Sequence, residues 1–77
     1  MSEAEVGPAG MEALRLMAAL GGELLIDLSH GAHAVAAAIV CITLARDGLC
    51  VHTPTEYIAG FTLTDAGRRL VEGGRLH

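Results

Sequence analysis

Lysine does not occur in this chain: its five basic residues are all arginine, set against nine Asp and Glu. A protein that neutralises several phosphates normally gathers a surplus of positive side chains on one face. The formal net charge of −4 therefore disfavours nucleic acid as a partner. Tryptophan is also missing, and Tyr57 and Phe61 are the only aromatic residues. Cys41 and Cys50 are too few cysteines for a disulfide scaffold, which makes a reduced cytoplasmic protein the default. No export signal is expected, because the stretch from Met1 to Gly7 is acidic through Glu3 and Glu5, where a signal would start basic and turn apolar. The longest uncharged run, Leu28 to Ala45, only touches the lower limit of about 18 residues for crossing a bilayer. Its start is polar at Ser29, His30 and His33, so a buried helix is expected there and no membrane span.

Apolar side chain, by contrast, is abundant. Hydrophobic residues make up 52% of the chain, above the roughly 45–50% of soluble domains, a figure that even includes glycine. The 77 residues allow one small domain, and a chain of that size buries only about 60% of its unfolded surface. A large enclosed active site within one subunit is thereby disfavoured. The apolar excess points instead to a surface for self-association or for a partner.

Residues 1–7 show no periodicity and read as a flexible tail, leaving 8–77 as a single domain. Pro8 opens the first helix, where its missing N–H would have no partner anyway. Met11, Leu14, Met17, Ala18 and Leu20 then recur every three or four residues, an amphipathic stripe that leaves Glu12 and Arg15 outside. Gly21 and Gly22 close it. Glu23 to Ser29 is too short for periodicity to choose between strand and helix. Beyond a turn at Ser29-His30-Gly31, Ala34 to Ala45 is Ala-rich and free of Gly and Pro, which favours a helix ended by Asp47-Gly48. Leu49 to His52 and Phe61 to Leu63 read as the strands of a hairpin, with turn character over Pro54 to Gly60. Thr64 is placed to cap a last helix, with Asp65 in its first turn. That helix should run to about Glu72 and end at Gly73-Gly74.

Two stretches stand out: Leu44-Ala45-Arg46-Asp47-Gly48-Leu49 leaves a helix for the hairpin, and Leu63-Thr64-Asp65-Ala66-Gly67-Arg68-Arg69-Leu70 leads from it into the closing helix. Together with the order of elements they resemble winged-helix proteins of the MarR-like regulator type, over about residues 11–73. The resemblance implies an α+β, mostly α fold: a winged helix-turn-helix with a two-stranded wing and a C-terminal helix. It implies a second helix at Glu23 to Ser29 and a third at Ala34 to Arg46, the third being the element that enters the major groove in DNA-binding members. Carried onto this chain, the inward positions of that helix correspond to Ala37, Val40, Cys41 and Leu44. The DNA-facing positions correspond to Val35, Ala36, Ala38, Ile39, Ile42 and Thr43.

That outward set is ill suited to reading bases. Thr43 alone can hydrogen-bond a base edge, and no Lys, Arg, Asn or Gln lies between Ser29 and Ala45, the residue types on which direct readout depends. A helix apolar nearly all round has to be covered on more than its core side. Either Val35, Ile39 and Ile42 meet a partner, or the short second element and the N-terminal helix cover them within one subunit. The wing, from His52 to Gly60, carries Glu56 and no Lys or Arg. Tyr57 at its tip either anchors an interface, as exposed loop aromatics often do, or packs down on the hairpin. Phe61 is expected in the core. Arg68 and Arg69 read as a solvated face between Asp65 and Glu72, and Arg46 is placed to pair with Asp47 or Glu23.

His30, His33, Cys41, Cys50 and His52 are the residues a metal would use, yet no paired CxxC or HxxxH unit is present, and zinc needs its thiolates and imidazoles to converge. Both cysteines suit a small buried-hydrophobe role. With no nucleophile motif, carboxylate pair or Gly-rich phosphate loop, neither enzyme chemistry nor a cofactor is expected. The expected function is protein–protein interaction by a small acidic adaptor or inhibitor, of the kind mobile elements encode, working through Val35, Ile39, Ile42, Thr43 and Tyr57. The partner is another protein or a second copy in a homodimer. The alternative is a dimeric DNA-binding transcriptional regulator whose positive charge comes from Arg46, Arg68 and Arg69.

Overall fold

A computed structural model of the protein describes residues 2–75. Helix α1 spans Glu3–Ala19, strand β1 Glu23–Asp27, a 3-10 turn Leu28–His30, helix α2 Ala32–Arg46, strands β2 Cys50–Pro54 and β3 Ile58–Leu63, and helix α3 Asp65–Arg75. Helices and one antiparallel sheet thus form a mostly helical α+β fold with a two-stranded wing and a C-terminal helix, an arrangement consistent with a winged helix.

The first residues already turn, where the sequence predicts a tail. Ser2 caps a helical turn by accepting a hydrogen bond from the Glu5 N–H, and at Gly7 the chain leaves helical geometry with φ 84°, a conformation glycine adopts at little steric cost. Pro8 then starts the long run. Met11, Leu14 and Met17 are buried as their spacing predicts, but Leu20 is exposed because the helix stops at Ala19 and Leu20 is its C-cap. The Gly22 N–H closes the end on the Met17 carbonyl at 2.8 Å.

Glu23–Asp27 is a strand, which corrects the second helix implied by the winged-helix resemblance. β1 pairs antiparallel with β3, and β3 with β2, giving the order β1-β3-β2. Alternation along β1 turns Leu24 and Ile26 to the inner face, opposite Phe61 and Ala59, and Glu23, Leu25 and Asp27 to the outer face. What survives of the helix is the single 3-10 turn at Leu28–His30. Its cap is Asp27, whose Oδ1 accepts from the Ser29 N–H at 2.9 Å and the Ser29 hydroxyl at 2.6 Å. These bonds hold the Asp27 carboxyl below its ordinary range.

Residues 58–60, expected in a turn, belong to β3, so the wing loop shrinks to residues 55–57, closed by the Thr55 N–H on the Ile58 carbonyl at 2.8 Å. Gly73 and Gly74 do not stop α3, which runs on to Arg75. The core gathers Leu14 and Met17 of α1, Cys41 and Leu44 of α2, Phe61 of β3 and Val71 of α3 between the helices and the inner sheet face. No helix among the described residues is long and apolar enough to cross a membrane.

Candidate functional site

Helix α2 buries Ala38, Cys41 and Leu44, with Ala34, Val40 and Ala45 half-buried beside them. The inward face is therefore rotated from the one carried over by the winged-helix resemblance: Ala38, expected outward, is 4% exposed, whereas Ala37, expected inward, is exposed. In a helix apolar on every side, spacing alone cannot fix which face meets the sheet. The rotation spares the residues that matter here. Val35, Ile39 and Ile42 are 43%, 59% and 36% exposed, at i, i+4 and i+7, the spacing of a single helical stripe. Neither α1 nor the 3-10 turn covers them, which overturns the reading that they are closed off within one subunit.

Thr43 lies on the same exposed side, but its hydroxyl donates to the Ile39 carbonyl at 3.1 Å, so its proton is already engaged. Tyr57 stands 62% exposed at the wing tip and does not pack down on the hairpin. Its carbonyl accepts a hydrogen bond from the Leu28 N–H at 2.8 Å, which ties the wing tip to the turn that leads into α2. Sequence spacing gave no sign of this link, because Leu28 and Tyr57 meet only through the pairing of β1 with β3. A second feature missed by the sequence is a shallow groove of about 260 Å³ between α1 and α2, walled by Ala9, Ala13, Leu16, Leu24, Ala37 and Val40. It exists because three of its wall positions are alanines.

The arginines do not form one patch. Arg68 lies against Gly22, whereas the Nε of Arg69 donates to the Asp65 carbonyl at 3.3 Å and its side chain borders a cleft shared with Asp47. Arg46, expected to pair with Asp47 or Glu23, pairs with neither. Among the described residues Arg15 pairs with Glu3 at 3.0 Å, and the His30 Nε2 lies 3.6 Å from the Asp27 Oδ2.

Cys41 and Cys50 are buried free thiols, and the Sγ of Cys50 donates to the Cys41 carbonyl at 3.4 Å. Burial, and to a lesser extent the neighbouring Cys41, push the Cys50 thiol up to about 11; burial also raises Cys41. Thiols held protonated are poor nucleophiles and poor metal ligands. His52 stacks on Phe61 with ring centroids 4.9 Å apart, while His30 and His33 are exposed. Among the described residues no three His, Cys, Asp or Glu side chains converge as a metal set. No protein-family model matches the chain, and neither a curated protein nor a solved structure matches it.

Proposed function

We propose that this is a small, non-enzymatic winged-helix protein of MarR-like descent that acts by binding protein, as an adaptor or inhibitor, through α2 and the wing. The observation that carries the reading is the exposed stripe Val35, Ile39 and Ile42 on the helix that would otherwise read DNA. Covering the exposed part of each side chain contributes roughly 1 kcal/mol, and Tyr57, tied through its carbonyl to the 3-10 turn that precedes α2, adds a rigid aromatic anchor. α2 carries no acidic residue and one basic residue, Arg46, so the face is also where two acidic copies repel least. The two free buried thiols suit a reducing, cytoplasmic setting. The test compares wild type with Ile39→Asp and Tyr57→Ala by light scattering for self-association and by co-purification for a partner. Folded variants that lose the association support the reading; variants that keep both self-association and partner overturn it.

A second reading, a dimeric DNA-binding regulator, is favoured by one observation: Arg46, Arg68 and Arg69 are exposed and have no carboxylate within ion-pair distance among the described residues. Affinity for duplex DNA across a salt series decides it, since phosphate contacts make binding fall steeply with salt. Absence of binding at low salt removes this reading.

A further inference from the structure

Strand β1 is an edge of the sheet whose outward N–H groups are unclaimed among the described residues. The Leu63 N–H bonds the Gly22 carbonyl at 2.7 Å and the Leu28 N–H bonds the Tyr57 carbonyl at 2.8 Å, one at each end of the β1–β3 ladder. Both bonds fit the register that pairs Glu23 with Thr62 and Asp27 with Ile58. In an antiparallel ladder the hydrogen-bonded positions alternate, so Leu24 and Ile26 turn their N–H and C=O groups towards β3. Glu23 and Leu25 turn theirs outward, and Asp27 its N–H, while the Asp27 C=O begins the 3-10 turn it caps. Among the described residues no hydrogen bond is made by those three N–H groups.

Such an edge is a template for another strand, and natural proteins usually blunt it. Here the blunting is selective. Leu25, at the centre, is 63% exposed, and its side chain shares the outer face with the carboxylates of Glu23 and Asp27. Beside it, over Gly60, is an open groove of about 220 Å³ bordered by Leu25, Ile58, Thr53 and Glu23. A second copy pairing antiparallel about Leu25 would set Glu23 directly opposite Asp27, a repulsive cross-strand pair. A strand with a cation at each of those positions and an apolar residue between them gains two attractive pairs instead. The Oδ1 of Asp27 is engaged by Ser29, and its Oδ2 lies 3.6 Å from the Nε2 of His30, so Glu23 is the freer of the two carboxylates.

We propose that the β1 edge is a docking site, separate from α2, for an extended basic segment of a partner protein that adds as a fourth strand, its cations facing Glu23 and Asp27 and an apolar side chain facing Leu25. This is recognition by strand addition, with main-chain bonds supplying affinity and alternate side chains supplying selectivity.

The probe is the capped heptapeptide Ser-Arg-Thr-Val-Thr-Arg-Ser, followed by amide NMR on the full chain. The expected result is saturable shifts at Glu23, Leu25 and Asp27 with slowed exchange of the Leu25 N–H, and about tenfold weaker binding when both arginines of the peptide are replaced by glutamate. Leu25→Pro removes an outward N–H, which an edge strand tolerates, and should weaken binding about fivefold. Should that variant not fold, Glu23→Lys carries the test, weakening the arginine peptide and strengthening the glutamate one. Equal binding of both peptides, shifts confined to Val35, Ile39 and Ile42, or concentration-dependent pairing of β1 with itself would overturn the proposal. Because the readout is on β1, it stands or falls independently of the α2 surface.

Discussion

Gly67, in the first turns of α3, is pressed against the carbonyl oxygen of Leu49, the residue that leads from α2 into β2. A β-carbon at position 67 would collide with that oxygen and stand 2.8 Å from the Cδ1 of Leu63. The same carbonyl accepts the Thr64 N–H at 3.2 Å, so the backbone it meets is already fixed from the other side. The approach lets α3 lie on the base of the wing.

Gly67→Ala should therefore destabilise the fold by about 1–3 kcal/mol, the usual cost of overpacking. The sign is the informative part, since the same change in an unconstrained helix interior stabilises by up to about 1 kcal/mol. Thermal unfolding checks it: a drop of roughly 4–8 °C per kcal/mol is expected for a domain of this size, and an unchanged or raised midpoint would contradict the contact.

Thr64 joins the two ends of the wing to α3. Its hydroxyl accepts from the Gly67 N–H at 3.1 Å and donates to the Gly48 carbonyl at 2.8 Å. Thr64→Ala loses both bonds and should cost about 1–2 kcal/mol, whereas Thr64→Ser, which keeps the hydroxyl, should cost much less. Urea unfolding of the pair measures the difference, and equal losses would argue against the cap.

The rotation of α2 is tested by neighbouring alanines. Ala38, 4% exposed, faces the core, so Ala38→Leu should destabilise by about 1–3 kcal/mol. Ala37→Glu falls on the exposed side and should stay within about 0.5 kcal/mol of wild type. If the two effects were exchanged, the inward face would be the one implied by the winged-helix resemblance.

Alkaline pH should weaken the fold through Cys50. Its ordinary value of 9.0 is raised to about 11, by burial first and by Cys41 second. Between those values an unfolded chain gives up a thiol proton that the folded chain keeps. The folded state then binds more protons, so stability falls as pH rises. The loss should begin near pH 9, be complete by about pH 11 and amount to something of order 2 kcal/mol. The chain has no lysine to titrate in this window. Denaturation midpoints of wild type and Cys50→Ala across it provide the measurement, and a parallel pH dependence in both would refute the assignment to Cys50.

Much of the fold was legible in the sequence because its signals are local. The stripe of Met11, Leu14 and Met17, the stop at Gly21-Gly22 and the cap at Thr64 each depend on residues within a turn or two of one another. For Val35, Ile39, Ile42 and Tyr57 the sequence narrowed the choice without making it: the helix holds more apolar residues than one core face can cover, but whether the rest of the chain closes over them was decided by the structure. Less legible was Glu23–Asp27, where Leu24, Leu25 and Ile26 suit a buried helix and a strand equally well.

Composition and spacing by themselves determined a small, mostly helical α+β fold with an acidic balance, in which the apolar run Ala34 to Ala45 holds no Lys, Arg, Asn or Gln. Tertiary structure decided what needs a partner distant in sequence. Pairing with β3 made β1 a strand and left of the implied second helix only the 3-10 turn that follows it. The inner sheet face chose Ala38 over Ala37, and the Leu28–Tyr57 bond tied the wing tip to the turn that precedes α2. Gly67 received its meaning from a carbonyl in another element. The physical reason is common to all of these: helical periodicity and capping act over three or four residues, whereas strand identity, helix rotation and close backbone approach are fixed by surfaces that meet only when the chain has closed.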